Sequence, residues 1–135
     1  MATISQIRDG LATNLATIAG LRTAATVPDS PNPPIAIVEP VSINFDTTFG
    51  RGLDEYLFKI TVVAGRADER SGQNKIDGYC NPSGALSVKT AVESDKTLGG
   101  VVQNLRVSGL STYGSITIAE IPYLAAEFAV TVYSN

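Results

Sequence analysis

The sequence contains no histidine and only one cysteine, and both scarcities restrict its chemistry. Imidazole is the commonest general base and metal ligand, so its absence removes every catalytic triad that depends on it. A zinc site takes several Cys or His ligands, which Cys80 alone cannot supply. A single cysteine also excludes a disulfide within the chain. These absences predict no metal site, no catalytic site and a protein that is not an enzyme.

Three kinds of diagnostic segment are also missing. The sequence has neither the spaced glycines of a dinucleotide fold nor a Gly-Lys-Ser element, so we expect no nucleotide cofactor. No run approaches the roughly 20 apolar residues that span a bilayer. The N-terminus lacks the basic region and apolar run of a signal peptide. We therefore expect a protein that is made in the cytosol and does not contact a membrane.

Charge is sparse and slightly acidic. Lys and Arg total 10 and Asp and Glu 13, which gives a net charge of −3. Gripping nucleic acid requires a clustered surplus of basic residues, and here they are scattered. A mildly acidic wall would nevertheless let a DNA duplex pass without binding it. The charge thus excludes a DNA reader but not a protein that surrounds DNA.

What is present suits one folded domain covering residues 1–135. The 135 residues are 44% hydrophobic and 17% charged, and domains of about 100 to 150 residues bury a single core. The N-terminal segment predicts an amphipathic helix, with Thr3 and Gln6 as a capping box and Gly20 as the C-terminal cap. Its apolar residues recur every three or four positions: Ile4, Ile7, Leu11, Leu15 and Ile18.

The middle of the chain predicts strands around a helical insert. Four prolines within residues 27–34 indicate a stiff connector, with a Pro-rich recognition segment as the alternative. Extended chain follows over 35–46, with Pro40 at a bulge or edge, and the alternation over 54–64 predicts a strand. Asp68 is expected to cap a helix that ends at Asn81 and Pro82, and Ser83 to cap a second helix ending before Gly99.

The last third predicts three further strands. Alternation runs over 101–107, a turn is expected at Ser108 and Gly109, and strands over 113–120 and 124–132 are separated by Ile121 and Pro122. The fold class predicted is α+β, with a mixed, mostly antiparallel sheet flanked by the N-terminal helix and the short helical insert.

Two carboxylate pairs and a serine–lysine pair are the remaining catalytic candidates. Asp54–Glu55 would point to opposite faces of a strand, and Asp68–Glu69 suits the positive end of a helix. Ser71 and Lys75 lie one helical turn apart, which permits a nucleophilic dyad, although nothing nearby would lower the lysine pKa. A small ligand-binding or enzymatic domain using Ser71 and Lys75 therefore stays open as an alternative.

Residues 49–100 contain a series of short runs in a characteristic order. They are Phe49–Asp54, Tyr56–Arg66, Ala67–Arg70, Tyr79–Gly84, Ser87–Lys89, Glu93–Asp95 and Thr97–Gly100. With the helix and Pro-rich connector before them, their order and spacing resemble the tail terminator proteins of long-tailed (siphovirus-type) bacteriophages. Terminators from phages of actinobacteria are the most similar.

The resemblance implies a structural virion protein at the neck of the phage tail. It implies a ring, usually a hexamer, that caps the head-proximal end of the tail tube, ends its polymerisation and offers a surface for head-tail joining. The implied partners are further copies of the chain, the major tail tube protein and the head-completion or connector proteins, with DNA passing through the pore. Another neck protein, a head-to-tail connector or stopper, is the nearest alternative.

Five residues are the predicted interface candidates on this interpretation. Phe49 and Arg51 occupy a loop between two apolar strands, from which they could reach a neighbouring subunit. Arg66, with Asp68 and Arg70 at the predicted helix start, completes the set. Each arginine could equally be an ordinary solvated side chain or part of a surface ion pair worth ~0 to 1 kcal/mol.

Overall fold

A mixed sheet forms the frame of the protein. The computed structural model describes residues 3–18, 21–24, 34–45, 54–66, 70–84, 86–118 and 120–134. The elements in chain order are α1 (Ile4–Leu15), β1 (Arg22–Ala24), β2 (Ile35–Asn44), β3 (Asp54–Arg66), α2 (Arg70–Cys80), α3 (Val88–Val92), β4 (Asn104–Ile118) and β5 (Ile121–Ser134). The described strands form one five-stranded sheet in the order β1-β2-β3-β5-β4, and only the β1–β2 pair is parallel. The predicted α+β fold class is confirmed.

The main core lies between one face of this sheet and the helices. The alternation of β3 places Tyr56, Phe58, Ile60 and Val62 on that face. The helices cover them with side chains at helical spacing, so each contributes one apolar stripe. These helical side chains are Ile7, Leu11 and Leu15 of α1, Ile76 and Tyr79 of α2, and Val88, Ala91 and Val92 of α3.

Helix α1 begins as predicted but ends earlier. The capping box is confirmed, because the Thr3 side chain accepts from the Gln6 amide while the Gln6 side chain accepts from the Thr3 amide. The helix ends at Leu15, and Gly20 lies outside the described residues. The Thr17 hydroxyl donates to the Asn14 carbonyl at 2.7 Å, which satisfies one of the acceptors left free at the helix end. Ile18 is buried without being helical.

The cap predicted for the second helix of the insert was wrong. Ser87, not Ser83, precedes α3, and its hydroxyl accepts from the Thr90 amide at 3.2 Å. The same hydroxyl donates to the Asn81 carbonyl at 2.7 Å, which ties the start of α3 to the end of α2. Ser83 is exposed in a bend. Sequence alone did not separate two serines four residues apart, because the choice depends on the path of the chain between Asn81 and Ser87.

The chain beyond α3 turns away from helical geometry. Leu98, Gly99 and Gly100 have φ values of 51, 72 and 95°, a region where a non-glycine residue is strained. Leu98 is buried against α1 at Gly10, where an added Cβ would lie only 3.0 Å from the Leu98 Cβ. The insert helix therefore ends at Val92, and residues 98–100 are not part of it.

Two side chains fasten this segment to its neighbours. The buried Asn14 amide donates to the carbonyls of Val92 at 2.9 Å and Asp95 at 3.1 Å. Glu93 accepts from Lys89 Nζ at 2.6 Å and from the Val107 amide of β4 at 2.9 Å. Leaving the donor or acceptor of such a buried or half-buried hydrogen bond without a partner costs about 1 to 3 kcal/mol. The two side chains therefore hold the end of α3 to α1 and to β4.

The last third is one long hairpin and not three strands. The turn predicted at Ser108 and Gly109 is wrong, because β4 continues through this point with register shifts at 107–109 and 110–112. The chain reverses at Glu120, whose φ is 69°. The predicted separators Ile121 and Pro122 begin β5, a position that tolerates proline near a strand start. Gly109 therefore marks a bulge within the strand and not a turn.

Replacing Glu93 should destabilise the protein. Glu93→Ala leaves the Val107 amide and Lys89 without their acceptor, so we expect the free energy of unfolding in urea to fall by about 1 to 3 kcal/mol. Glu93→Gln keeps an acceptor oxygen and should cost less. Glu120→Gln, at an exposed glutamate, is the control and should stay within about 0.5 kcal/mol of wild type. An unchanged Glu93→Ala protein would contradict this role.

The Glu93 contribution should depend on pH. Burial disfavours its charged form, but hydrogen bonds from Lys89 and the Val107 amide outweigh burial and lower the Glu93 pKa below its ordinary 4.5. The unfolded state then binds more protons between the two pKa values, so stability rises with pH. The difference in unfolding free energy between wild type and Glu93→Gln should be full above pH 4.5 and shrink as the pH falls through the lowered pKa. A difference that stays constant down to pH 2.5 would argue against it.

Candidate assembly surfaces

The structure places the sequence-predicted interface residues only in part. Phe49, Arg51 and Asp68 lie outside the described residues. Arg66 ends β3 opposite Tyr123, and Arg70 begins α2, but their side chains also lie outside the described part. The same holds for the side chains of the alternative Ser71–Lys75 pair in α2. These predictions therefore stay predictions, and the surfaces described next come from other residues.

Beyond the short strand β1, strand β2 forms one described edge of the sheet, with exposed apolar side chains on β2 and at Phe45, the residue after its end. Strand β1 pairs only with Ile35–Ile37, so the outer edge of β2 beyond Ile37 has no described strand beside it. Val41 is 62% exposed and Phe45 is 69% exposed. These two side chains are called the β2-edge patch. Val41 sits at the register shift between Pro40 and Ser42, which confirms the bulge predicted at Pro40.

The opposite edge is formed by β4 and also carries exposed apolar side chains. Leu110 is 43% exposed and Tyr113 is 45% exposed, and they are called the β4-edge patch. The Tyr113 hydroxyl donates to the Asp77 carboxylate of α2. Beside Leu110 lies a groove of ≈ 200 Å³ whose lining includes Pro82 and Val107. The β4-edge patch is thus continuous with a mainly apolar groove.

The backbone of both edges is unsuited to hydrogen bonding with a further strand. The backbone of β2 is interrupted by its bulge at Pro40, and that of β4 by two register shifts. The Val107 amide of β4 is already bonded to Glu93. Bulges and occupied edge groups prevent a further strand from pairing along an edge. A partner at either edge would therefore meet mainly side chains, which favours a contact of defined extent.

The sheet face opposite the helices is apolar at one end and charged in its middle. A second buried cluster contains Ile35, Ile37, Val63, Tyr123 and Ala125. Beyond it, Lys59 lies across from Glu39 in the register, and its Nζ is 3.8 Å from Glu39 Oε2 and 3.3 Å from Glu127 Oε2. These half-exposed pairs contribute ~0 to 1 kcal/mol each. Two carboxylates and one ammonium group leave this part of the face with a net negative charge.

Two further charges occupy that face near the two edges. Glu55 of β3 accepts from the Asn44 side chain of β2 at 3.0 Å. Arg106 of β4 is exposed and has no ion-pair partner among the described residues. Register places both on one face, because Glu55 lies opposite Tyr133 and Arg106 opposite Thr131, two residues along β5. An acidic group therefore lies beside the β2 edge and a basic group on the β4 edge.

Sequence patterns gave only an indirect signal for these surfaces. Val41 follows Pro40, and Leu110 follows Gly109, so each stands where the apolar–polar alternation is broken. Such breaks mark bulges, which change the direction of a side chain. The breaks were visible, but which apolar residue would then be exposed depended on the register between strands.

Neither metal-binding nor membrane-spanning features occur in the described ranges. No group of three or more His, Cys, Asp or Glu side chains there could hold a metal ion. None of the described helices is long and apolar enough to cross a membrane. The predictions that the protein has no metal, no cofactor and no catalytic role stay predictions.

The half-buried Cys80 thiol should react slowly. Burial raises the pKa of Cys80, and the Asp77 carboxylate raises it further. Because the thiolate is the reactive form, alkylation by iodoacetamide at pH 8 should be slower in the folded protein than in urea. Asp77→Asn should speed alkylation of the folded protein because it removes a negative charge near Cys80. Asp9→Asn, at an exposed position of α1, should not change the rate. Equal rates in folded and unfolded protein would contradict this prediction.

No protein-family model matches the sequence, and no curated protein matches it either.

Proposed function

We propose that this protein is a structural component of a bacteriophage virion that forms a ring on the head-proximal end of the tail tube. The ring ends tube polymerisation and presents a surface for head-tail joining. The proposal joins the resemblance of the runs in residues 49–100 to tail terminators with the surfaces described above. In the proteins it resembles the ring is usually a hexamer.

The observation that carries the proposal is the pair of unlike apolar patches on opposite edges of one sheet. A closed ring of identical subunits needs a heterologous contact, in which two different surfaces of each subunit meet. The β2-edge patch and the β4-edge patch are two such surfaces, separated by strands β3 and β5.

The charge of the protein is consistent with a DNA passage. Its net charge of −3 gives a ring of several copies an acidic character. Phosphates are repelled by such a surface, so a duplex would move through the pore without adhering. The protein would assemble in the host cytoplasm and end in the neck region of the virion.

The proposal predicts rings that cap tail tubes. Light scattering of the purified protein, alone and with tail tubes, should give a ring mass near six times the 14.1 kDa subunit in at least one condition. Electron microscopy should show the protein at one end of each tube, and its addition should stop tube growth. A protein that stays monomeric with finished tubes present would overturn the proposal.

Binding partners separate this function from that of another neck protein. A terminator should bind purified tail tubes, whereas a connector or stopper should bind capsids at the portal. Pull-down of each particle by the tagged protein measures the difference. Binding to capsids in the absence of tails, with no binding to tubes, would replace the terminator assignment by the connector one.

A further inference from the structure

We propose that neighbouring copies in the ring meet edge to edge, with the β2-edge patch of one copy seated on the β4-edge patch and its groove in the next. The occupant of the groove is thus a second copy of this chain. This inference rests on the proposed ring and names the surfaces that close it.

Both edges carry apolar side chains that are exposed to solvent in a single copy. Val41 and Phe45 project as large side chains with more than half of their surface exposed. Leu110 lines a groove of ≈ 200 Å³, and Tyr113 is exposed on the same strand. Burying an exposed apolar surface gives roughly 25 cal/mol per Å² before the costs of association. Exposed apolar side chains at both edges would be buried by a contact between copies.

A single copy cannot make this contact with itself. The order β2-β3-β5-β4 puts three inter-strand spacings between the edges, about 14 Å at the usual 4.7 to 4.9 Å per spacing. When the β2-edge patch of each copy contacts the β4-edge patch of the next, each copy contacts two neighbours, which is the arrangement of a ring or a filament.

The charges favour the unlike contact over a like one. Glu55 stands behind the β2 edge and Arg106 on the β4 edge, on the same sheet face and offset by two residues in the register. Joining a β2 edge to a β4 edge brings the carboxylate of one copy towards the guanidinium of the next. Joining two β2 edges would instead oppose Glu55 to Glu55, and two β4 edges would oppose Arg106 to Arg106. Electrostatic complementarity of this kind determines which surfaces pair.

Two single-edge variants test the pairing. Val41→Asp should disable the β2 edge and Leu110→Asp the β4 edge, and each variant alone should be monomeric under conditions where wild type forms rings. Mixed in equal amounts, the two should give a dimer of twice the subunit mass and nothing larger, because one intact edge of each kind remains. Ile4→Asp is the matched control, since Ile4 is 37% exposed on α1 and lies on neither edge; it should form rings.

Two results would overturn the inference. Rings formed by either edge variant would show that the contact lies elsewhere. Dimers formed by one variant alone would show that an edge pairs with its own kind. Circular dichroism at each step confirms that the exposed positions accept aspartate, and Arg106→Glu provides a second variant of the β4 edge.

A charge exchange provides an independent test. Glu55→Arg and Arg106→Glu should each reduce the ring fraction at least tenfold at low salt, and the double variant should restore it. Asp9→Arg, at an exposed position of α1, is the control for a charge reversal away from both edges. If the double variant assembles no better than the single ones, Glu55 and Arg106 do not face each other.

The tail-tube assay separates this inference from the proposed function. Rings that assemble through these edges but never bind tubes would refute the function and leave the contact standing. Edge variants that still form rings and cap tubes would refute the contact and leave the function standing.

Discussion

The antiparallel pairing of β3 with β5 is the constraint on which the rest of the structure depends. Its register runs from Asp54 opposite Ser134 to Arg66 opposite Tyr123, with one shift between Val63 and Gly65. Because this pair occupies the middle of the sheet, its side chains supply the core on one face and the second apolar cluster on the other. The same pairing determines which strands become edges: β2 beyond its short contact with β1, and β4.

The two edges expose apolar side chains, yet their backbone is unsuited to pairing with the strands of other molecules. An unpaired edge presents free backbone groups that recruit any other strand. Here the bulge at Pro40, the two shifts in β4 and the bond from Val107 to Glu93 interrupt that backbone. The exposed apolar side chains stand at or near these interruptions. A partner at either edge would therefore contact side chains, which are selective, and not the backbone, which pairs with little selectivity.

Glu93 links the stability of the subunit to the form of the β4 edge. It joins α3 through Lys89 to the backbone of β4, at the strand position that also lines the groove beside Leu110. Asn14 holds the same end of α3 to α1. The short helix α3 is therefore hydrogen-bonded both to the N-terminal helix and to the edge strand β4. The shape of the proposed contact surface depends on these hydrogen bonds as well as on the sheet.

The sequence by itself determined the elements whose signals are local. The capping box at Thr3 and Gln6, the period-two alternation of β3 and the proline at the β2 bulge each depend on neighbours within four residues, and the structure confirms them. The sequence-based expectation of an α+β fold with a mixed, mostly antiparallel sheet followed from the order of these elements.

Only the tertiary structure decided the features that depend on distant contacts. The local pattern at Gly109 predicts a turn, but Gly109 lies within a strand because β4 pairs with β5 on both sides of the bulge there. The exposure of Val41 and Leu110 depends on the strand order, which puts their strands at the edges. The periodicity of the sequence predicts the direction in which a side chain points. Only the neighbouring strands and helices decide whether anything covers that side chain.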